Sequence, residues 1–286
     1  MTNILKAIKN IVDNPVTEVV NHYKNSNRAN NMGDALEEYT KDMFSNSFNE
    51  ENWKKDELYS KNFSYLWNTN NPPDLIIKWS DAIEVKKIET LSSAIALNSS
   101  FPKDKLYSSD SRITTECKNC EKDGWNEKDI IYVVWFTPKK SNQLKSLLFV
   151  YGNCYAANKE IYERISEKIS LGINEIPDVE LVETNELAKV KKVDPLWITD
   201  LRVRGMWHID NPVKVFNDSL NIDNEDLFSV NAIILEEKYN SFPVLDRESI
   251  EKIKEDGFKI SNIKIKSPNN PANLLSAKLI TYVKKN

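Results

Sequence analysis

The sequence predicts an α/β fold: a mixed central β-sheet flanked by helices, in one domain over residues 1–286. Two observations predict it. Short apolar runs bounded by turn residues, among them Leu75-Ile76-Ile77 and Ile130 to Phe136, have the length and composition of buried strands. Around them, segments such as 3–13 and 157–171 carry apolar residues at helical spacing. No internal repeat is visible, and no linker divides the chain.

Size and composition narrow the possibilities. A chain of 286 residues can bury a substantial core, and 40% hydrophobic with 29% charged residues is ordinary for a soluble globular protein. The longest apolar run, Ile130 to Phe136, is too short to span a bilayer. The amino terminus alternates Lys with apolar residues and lacks a signal-peptide core, so the expected location is the cytoplasm, with no membrane partner. A net charge of −4 argues against a protein held on nucleic acid by bulk electrostatics. It leaves room for a cleft that gathers cations locally. Three cysteines give no even disulfide framework. Cys117-Lys118-Asn119-Cys120 has the spacing of half a zinc site, with Cys154 a third thiol, but no fourth ligand is near in sequence; reduced structural thiols are expected.

In chain order, residues 3–13 form an amphipathic helix with Ile4, Leu5, Ile8, Ile11 and Val12 on one side, ended by Pro15. A polar stretch, Asn21 to Asn31, leads to a helix from Gly33 to Phe44 with Met32, Leu36, Tyr39 and Met43 as its apolar stripe. Glu37 lies at the border of that stripe, and Glu38 is expected to point away. Leu75–Ile77 and Ala82–Ile88 form a hairpin turned by Trp79-Ser80-Asp81. The polar segment 97–127 reads as a long functional loop. A second hairpin, 129–137 and 145–151, extends the sheet, and a helix over 157–171 follows with Ile161, Ile165 and Ile169 in register. Later come strands over 201–209, 230–235 and 277–283 and a helix over 246–256. Trp125 and Trp207 are expected in the core, and His208 in a structural role.

The first hairpin carries the chemistry. Pro72-Pro73 cannot continue a helix or a central strand, so Asp74 opens its strand. Residues two apart on a strand share a face, so Glu84 and Lys86 project together and the hairpin brings Asp74 beside them. Two carboxylates and an ammonium suit a divalent metal and an activated water. The arrangement resembles that of the PD-(D/E)XK nucleases. Asp74 and Glu84 are the expected ligands of one or two Mg²⁺, with the Val85 carbonyl a further ligand. Lys86 is expected to orient or deprotonate the water, and Glu37 is the candidate fourth member of the site.

With these residues in place, the chain resembles the NgoPII family of type II restriction endonucleases. The resemblance rests on Asn27-Arg28-Ala29-Asn30-Asn31-Met32-Gly33-Asp34-Ala35-Leu36-Glu37 and on Pro72-Pro73-Asp74 with Glu84-Val85-Lys86-Lys87. It continues through Leu97-Asn98-Ser99-Ser100-Phe101-Pro102 and covers most of the first 150 residues. It implies a homodimer that needs Mg²⁺ and cuts both strands of double-stranded DNA at a short palindrome, GGCC or a related G·C-rich site. A cognate DNA methyltransferase is then expected as a genetic partner. The catalytic core is expected over about 30–175, and recognition elements over 97–127 and 196–245.

Reading G·C pairs calls for Arg or Lys on guanine O6 and N7. Arg202 and Arg204 lead the candidates; Asn27, Arg28, Asn30 and Asn31 follow, with Asn98, Ser99, Ser100 and Arg112 in the polar segment. Lys103 and Lys105 suit phosphate contacts. Two rivals keep the fold: a repair or recombination nuclease acting on structured DNA, and a DNA-binding protein that no longer cuts. A glycosidase is disfavoured, because Lys86 beside Glu84 would hold the glutamate ionised and spoil a general acid.

Overall fold

Asn3 starts the first helix, α1 (Ile4–Asp13), by accepting from the amides of Leu5 and Lys6 at 3.0 and 3.2 Å. The computed structural model describes all residues except 25–31, 67–70, 98–99, 140, 142, 177–179, 183–186, 192, 221, 224 and 286. Helices α2 (Val19–Lys24), α3 (Met32–Ser45) and α4 (Asn52–Asn62) follow α1. Then come strands β1 (Phe63–Leu66), β2 (Leu75–Ile77), β3 (Ala82–Ile88), β4 (Ala94–Ala96) and β5 (Lys105–Tyr107), and the one-turn helix α5 (Thr115–Lys118). The middle of the chain forms β6 (Glu127–Phe136), β7 (Ser146–Tyr151), α6 (Gly152–Tyr155) and α7 (Lys159–Asn174). Short strands β8 (Glu180–Val182), β9 (Ala188–Lys191), β10 (Leu201–Val203) and β11 (His208–Asp210) precede α8 (Pro212–Val215). The chain finishes with β12 (Phe228–Leu235), α9 (Glu236–Ser241), α10 (Val244–Glu251), β13 (Phe258–Lys266) and β14 (Leu274–Lys284).

The central sheet is nine-stranded and mixed, in the order β1-β2-β3-β6-β7-β12-β14-β13, with β5 paired to the start of β6. The β3–β6 and β7–β12 pairs are parallel; the rest of the path is antiparallel. β6 and β7 are apolar and buried along nearly their whole length, as strands covered on both faces must be. Because β3 and β6 are parallel, the chain must cross over between them. Residues 89–126, with most of the polar segment, make that crossover. On one face Tyr39 of α3 packs edge-on against Trp135 of β6, with ring centroids 5.1 Å apart at 88°. Among the described residues no helix is long and apolar enough to cross a membrane.

Several expectations are corrected. The single strand expected over 201–209 is two strands in different small sheets: β10 pairs with β9, and β11 pairs with β4. Its alternation reflects two separate partners. The polar segment contains β5 and α5, seated by the buried Leu106, Ile113 and Cys117. The helix expected to reach 256 ends at Glu251. Glu38 does not point away. It is buried and accepts from Lys41 and, at 3.2 Å, from the Tyr59 hydroxyl, because α4 packs on that side of α3. On α7 the stripe Ile161, Ile165, Ile169 is exposed, and Trp125 and Trp207 are half-buried at the edge of the core.

Candidate active site

The β2–β3 hairpin holds the three residues singled out at its sequence motif. Leu75 pairs with Ile83 and Ile76 with Ala82. The turn is closed by the Ile77 amide on the Asp81 carbonyl and the Ser80 amide on the Ile77 carbonyl, both 2.9 Å, with Trp79 at φ +59°. At the other end the Asp74 amide donates to the Ile83 carbonyl at 3.0 Å. β2 starts only at Leu75, so beyond Ile83 the ladder stops. The Val85 amide donates instead to Asp74 Oδ2, at 2.6 Å. In an extended strand the N–H and C=O of one residue point to the same edge, so the Val85 carbonyl faces the Asp74 side too.

On β3, Lys86 Nζ lies 2.5 Å from Glu84 Oε1. The other glutamate oxygen, Oε2, is buried with no hydrogen-bond partner. A buried carboxylate oxygen left without a partner is costly unless a cation or a donor completes it. Burial, and next the neighbouring Glu84 carboxylate, push Asp74 well above the usual carboxylate range, against Lys86 and the Val85 amide. Burial alone would lower Lys86, but Glu84 and Asp74 outweigh it and hold the ammonium above its ordinary value. The charge pattern fits a divalent cation: two carboxylates share a buried site, one oxygen is uncompensated, and a backbone carbonyl faces the same edge. Among the described residues no group of three or more His, Cys, Asp or Glu side chains converges, so a cation here would be held by two carboxylates and main-chain or water oxygens.

Glu37, on α3, is half-buried and raised by burial, with Lys41 at 3.5 Å opposing the shift. Its charge is felt at Asp74. Beneath Glu84 lies Tyr132, its register partner on β6. The Tyr132 hydroxyl receives the Lys103 amide at 2.7 Å and its ring meets Tyr155 at 5.5 Å. Sequence reasoning missed Tyr132, because only the parallel register brings it below Glu84. It also missed two clusters that brace the hairpin turn. Glu121 accepts from Lys128 Nζ and the Trp79 amide at 2.9 and 2.8 Å. Lys238 reaches Asp81 and Asp129 at 2.7 and 2.6 Å, while Tyr151 donates to Asp81 at 2.6 Å.

The candidate DNA contacts fall in several places. Asn27, Arg28, Asn30, Asn31, Asn98 and Ser99 lie outside the described residues. Ser100 Oγ is 3.4 Å from the Phe101 carbonyl. Lys103 is buried, its ammonium on Asp110 and 4.5 Å from the centre of the Phe101 ring. Lys105 pairs with Glu127 at 2.5 Å, and the Arg112 amide donates to Asp110 at 2.8 Å. Lys103, Lys105 and Arg112 line one cavity together with Trp207. Arg202 lies on β10 opposite Lys189, and Arg204 follows that strand; both are exposed, in the small sheet rather than the central one. Cys117, Cys120 and Cys154 are free thiols.

Comparison with known proteins shows the family. The family model of the NgoPII restriction endonucleases matches residues 2–266. A curated relative, "Type II restriction enzyme NgoPII" of Neisseria gonorrhoeae, is 51% identical over 280 residues, which are 98% of this chain and 99% of that protein. No solved structure matches the chain. A match over nearly the whole length, beyond the segments that carry the hairpin, places the chain in the NgoPII restriction endonuclease family.

Proposed function

We propose that this restriction endonuclease works as a Mg²⁺-dependent homodimer that hydrolyses both strands of double-stranded DNA at a short palindrome, GGCC or a related G·C-rich site. Asp74 and Glu84 hold one or two Mg²⁺, with the Val85 carbonyl as a further oxygen ligand. The single observation that best supports this is the buried, unpartnered Oε2 of Glu84 beside the half-buried carboxylate of Asp74. Bound there, Mg²⁺ lowers the pKa of a water and neutralises charge on the phosphate. Lys86, kept protonated by its two carboxylate neighbours, orients that water by donation and offsets charge on the scissile phosphate. Glu37 stands on α3 as an additional acceptor for water.

Base readout on this reading falls to Arg202, Arg204, Arg112 and the segment 97–127, together with the asparagines and Arg28 of 27–31; Lys105 serves the backbone, whereas the buried ammonium of Lys103, held by Asp110, does not reach a phosphate. A palindrome presents two equivalent strands, which calls for two copies of the site about a two-fold axis. We place the whole chain, 1–286, in one endonuclease unit acting in the cytoplasm, with a separate methyltransferase protecting the host genome. Digestion of plasmid DNA with and without Mg²⁺, followed by mapping of fragment ends, tests the reading. Discrete, metal-dependent fragments whose ends share a palindrome are expected. Smearing without discrete fragments would favour a structure-directed nuclease, and metal-independent retention without cleavage a non-cutting binder.

A further inference from the structure

A cavity of about 440 Å³ lies between the segment around Phe101 to Arg112, the outer face of α7 and Gly205–Trp207. Its size is that of a small-molecule site. Phe101 and Trp207 line it, and Tyr162 braces both rings from outside the lining. Phe101 and Tyr162 stack at 5.4 Å and 16°, and Trp207 stands nearly perpendicular to both, at 6.3 Å and 80° from Phe101 and 5.7 Å and 85° from Tyr162. Trp207 is thus held by two rings while staying half-buried on the cavity wall. A fixed indole with an accessible surface is a platform for a flat ring.

The polar lining has both signs. Arg112 and Lys159 stand alongside Glu163 and Glu167, while Asp110 holds Lys103 and the Arg112 amide, and Lys105 is paired with Glu127. A site for phosphate alone would exclude the carboxylates, and a purely apolar ligand would need neither charge. A nucleotide needs both: acceptors for the N–H groups of its base and cations for its phosphate. Position adds to this. The amide of Lys103, a lining residue, is bonded to Tyr132 at 2.7 Å, and Tyr132 is the register partner of Glu84. The cavity wall is therefore fastened to the sheet beside the proposed cleavage site, on the face that carries Glu84.

We propose that this cavity receives one nucleotide of the bound DNA, turned out of the duplex, with its base stacked on Trp207 and its amino edge toward the carboxylates of the lining. The inference rests on the function proposed above. Removing a base from the stack is costly, and a pocket combining stacking with edge recognition offsets that cost and adds selectivity for the extruded base.

The test uses the full-length protein and a duplex containing its mapped cleavage site, with 2-aminopurine placed at each position in turn. Binding is measured without Mg²⁺. With wild type, one position is expected to change its emission several-fold, and no other. Trp207→Ala, which removes the stacking partner and its quenching, should brighten that position further and weaken binding about tenfold. Ser166→Phe, which fills the cavity from α7 one turn beyond Tyr162, should return the emission to that of free duplex. Circular dichroism confirms that both variants fold. Site-specific cleavage with no position-specific emission change, or a change that survives Ser166→Phe, overturns the inference and leaves the proposed function standing. Absence of site-specific cleavage by wild type in Mg²⁺ overturns both.

Discussion

The Val85 amide donates to Asp74 Oδ2 at 2.6 Å, in the place where a strand partner would otherwise sit. Asp74 is thereby fixed by the backbone of the strand that carries Glu84 and Lys86. Asn at this position keeps an acceptor for the amide and removes a half-buried charge beside Glu84. Asp74→Asn should therefore abolish Mg²⁺-supported cleavage while leaving the metal-free melting temperature unchanged or higher. Wild type should be stabilised by added Mg²⁺ and the variant should not, since only a state that binds the ion gains from it. Thermal melts with and without the ion, beside a digestion assay, check both halves.

Lys86 is bonded to Glu84 and sits between two carboxylates. Lys86→Ala should slow single-turnover cleavage by about 10²–10⁴-fold. Affinity for the site should stay within about tenfold, because one phosphate contact among many is lost. A gel shift without Mg²⁺ run beside the cleavage time course separates the two effects; equal losses in both would assign Lys86 to binding alone.

Asp42, fully buried on α3, accepts from Lys55, from the Tyr23 and Tyr59 hydroxyls at 2.8 and 2.7 Å, and from Ser47 at 2.5 Å. Lys55→Met strands that carboxylate and should cost about 3–5 kcal/mol. Urea unfolding measures it. The cluster includes neither a proposed metal ligand nor Lys86 and connects toward Glu37 only through Tyr59, Glu38 and Lys41, so the cleavage rate at a temperature where the variant is folded should stay within about tenfold of wild type.

The thiols of Cys117 and Cys120 are neighbours. A hydrogen bond from Cys117 is the main cause that brings Cys120 down to about 7, against burial, while Cys117 is pushed up in return. Burial pushes Cys154 up to about 12. The thiolate is the reactive form, so alkylation by iodoacetamide should mark Cys120 first, and at a lower pH than Cys154. Peptide mapping across pH 6–9 reads this; Cys154 labelled at the same rate would contradict it.

Legibility followed locality. The catalytic hairpin was readable because strand alternation and a three-residue turn place Asp74, Glu84 and Lys86 within a dozen residues of one another. α4 was not readable, because its buried members, Lys55 and Tyr59, serve a polar cluster on α3 and leave no apolar stripe. The same cause hid the burial of Glu38. The segment 201–209 showed a true β pattern, yet its division between β9 and β4 depends on partners that alternation does not name. Lys103 carried no sign that it is buried on Asp110. The metal-binding character of the site was legible as residue types, whereas the unpartnered oxygen of Glu84 emerged only from the folded chain.

The most direct measurement is the single-turnover rate of Glu84→Gln on a site-containing duplex in saturating Mg²⁺, with DNA binding measured in parallel. Gln keeps the size and one carbonyl acceptor for Lys86 but removes the carboxylate charge and the second acceptor oxygen that Oε2 presents without a partner. The account predicts retained binding and a rate at least about a thousandfold below wild type. A rate within tenfold of wild type would place the cleavage chemistry outside this hairpin.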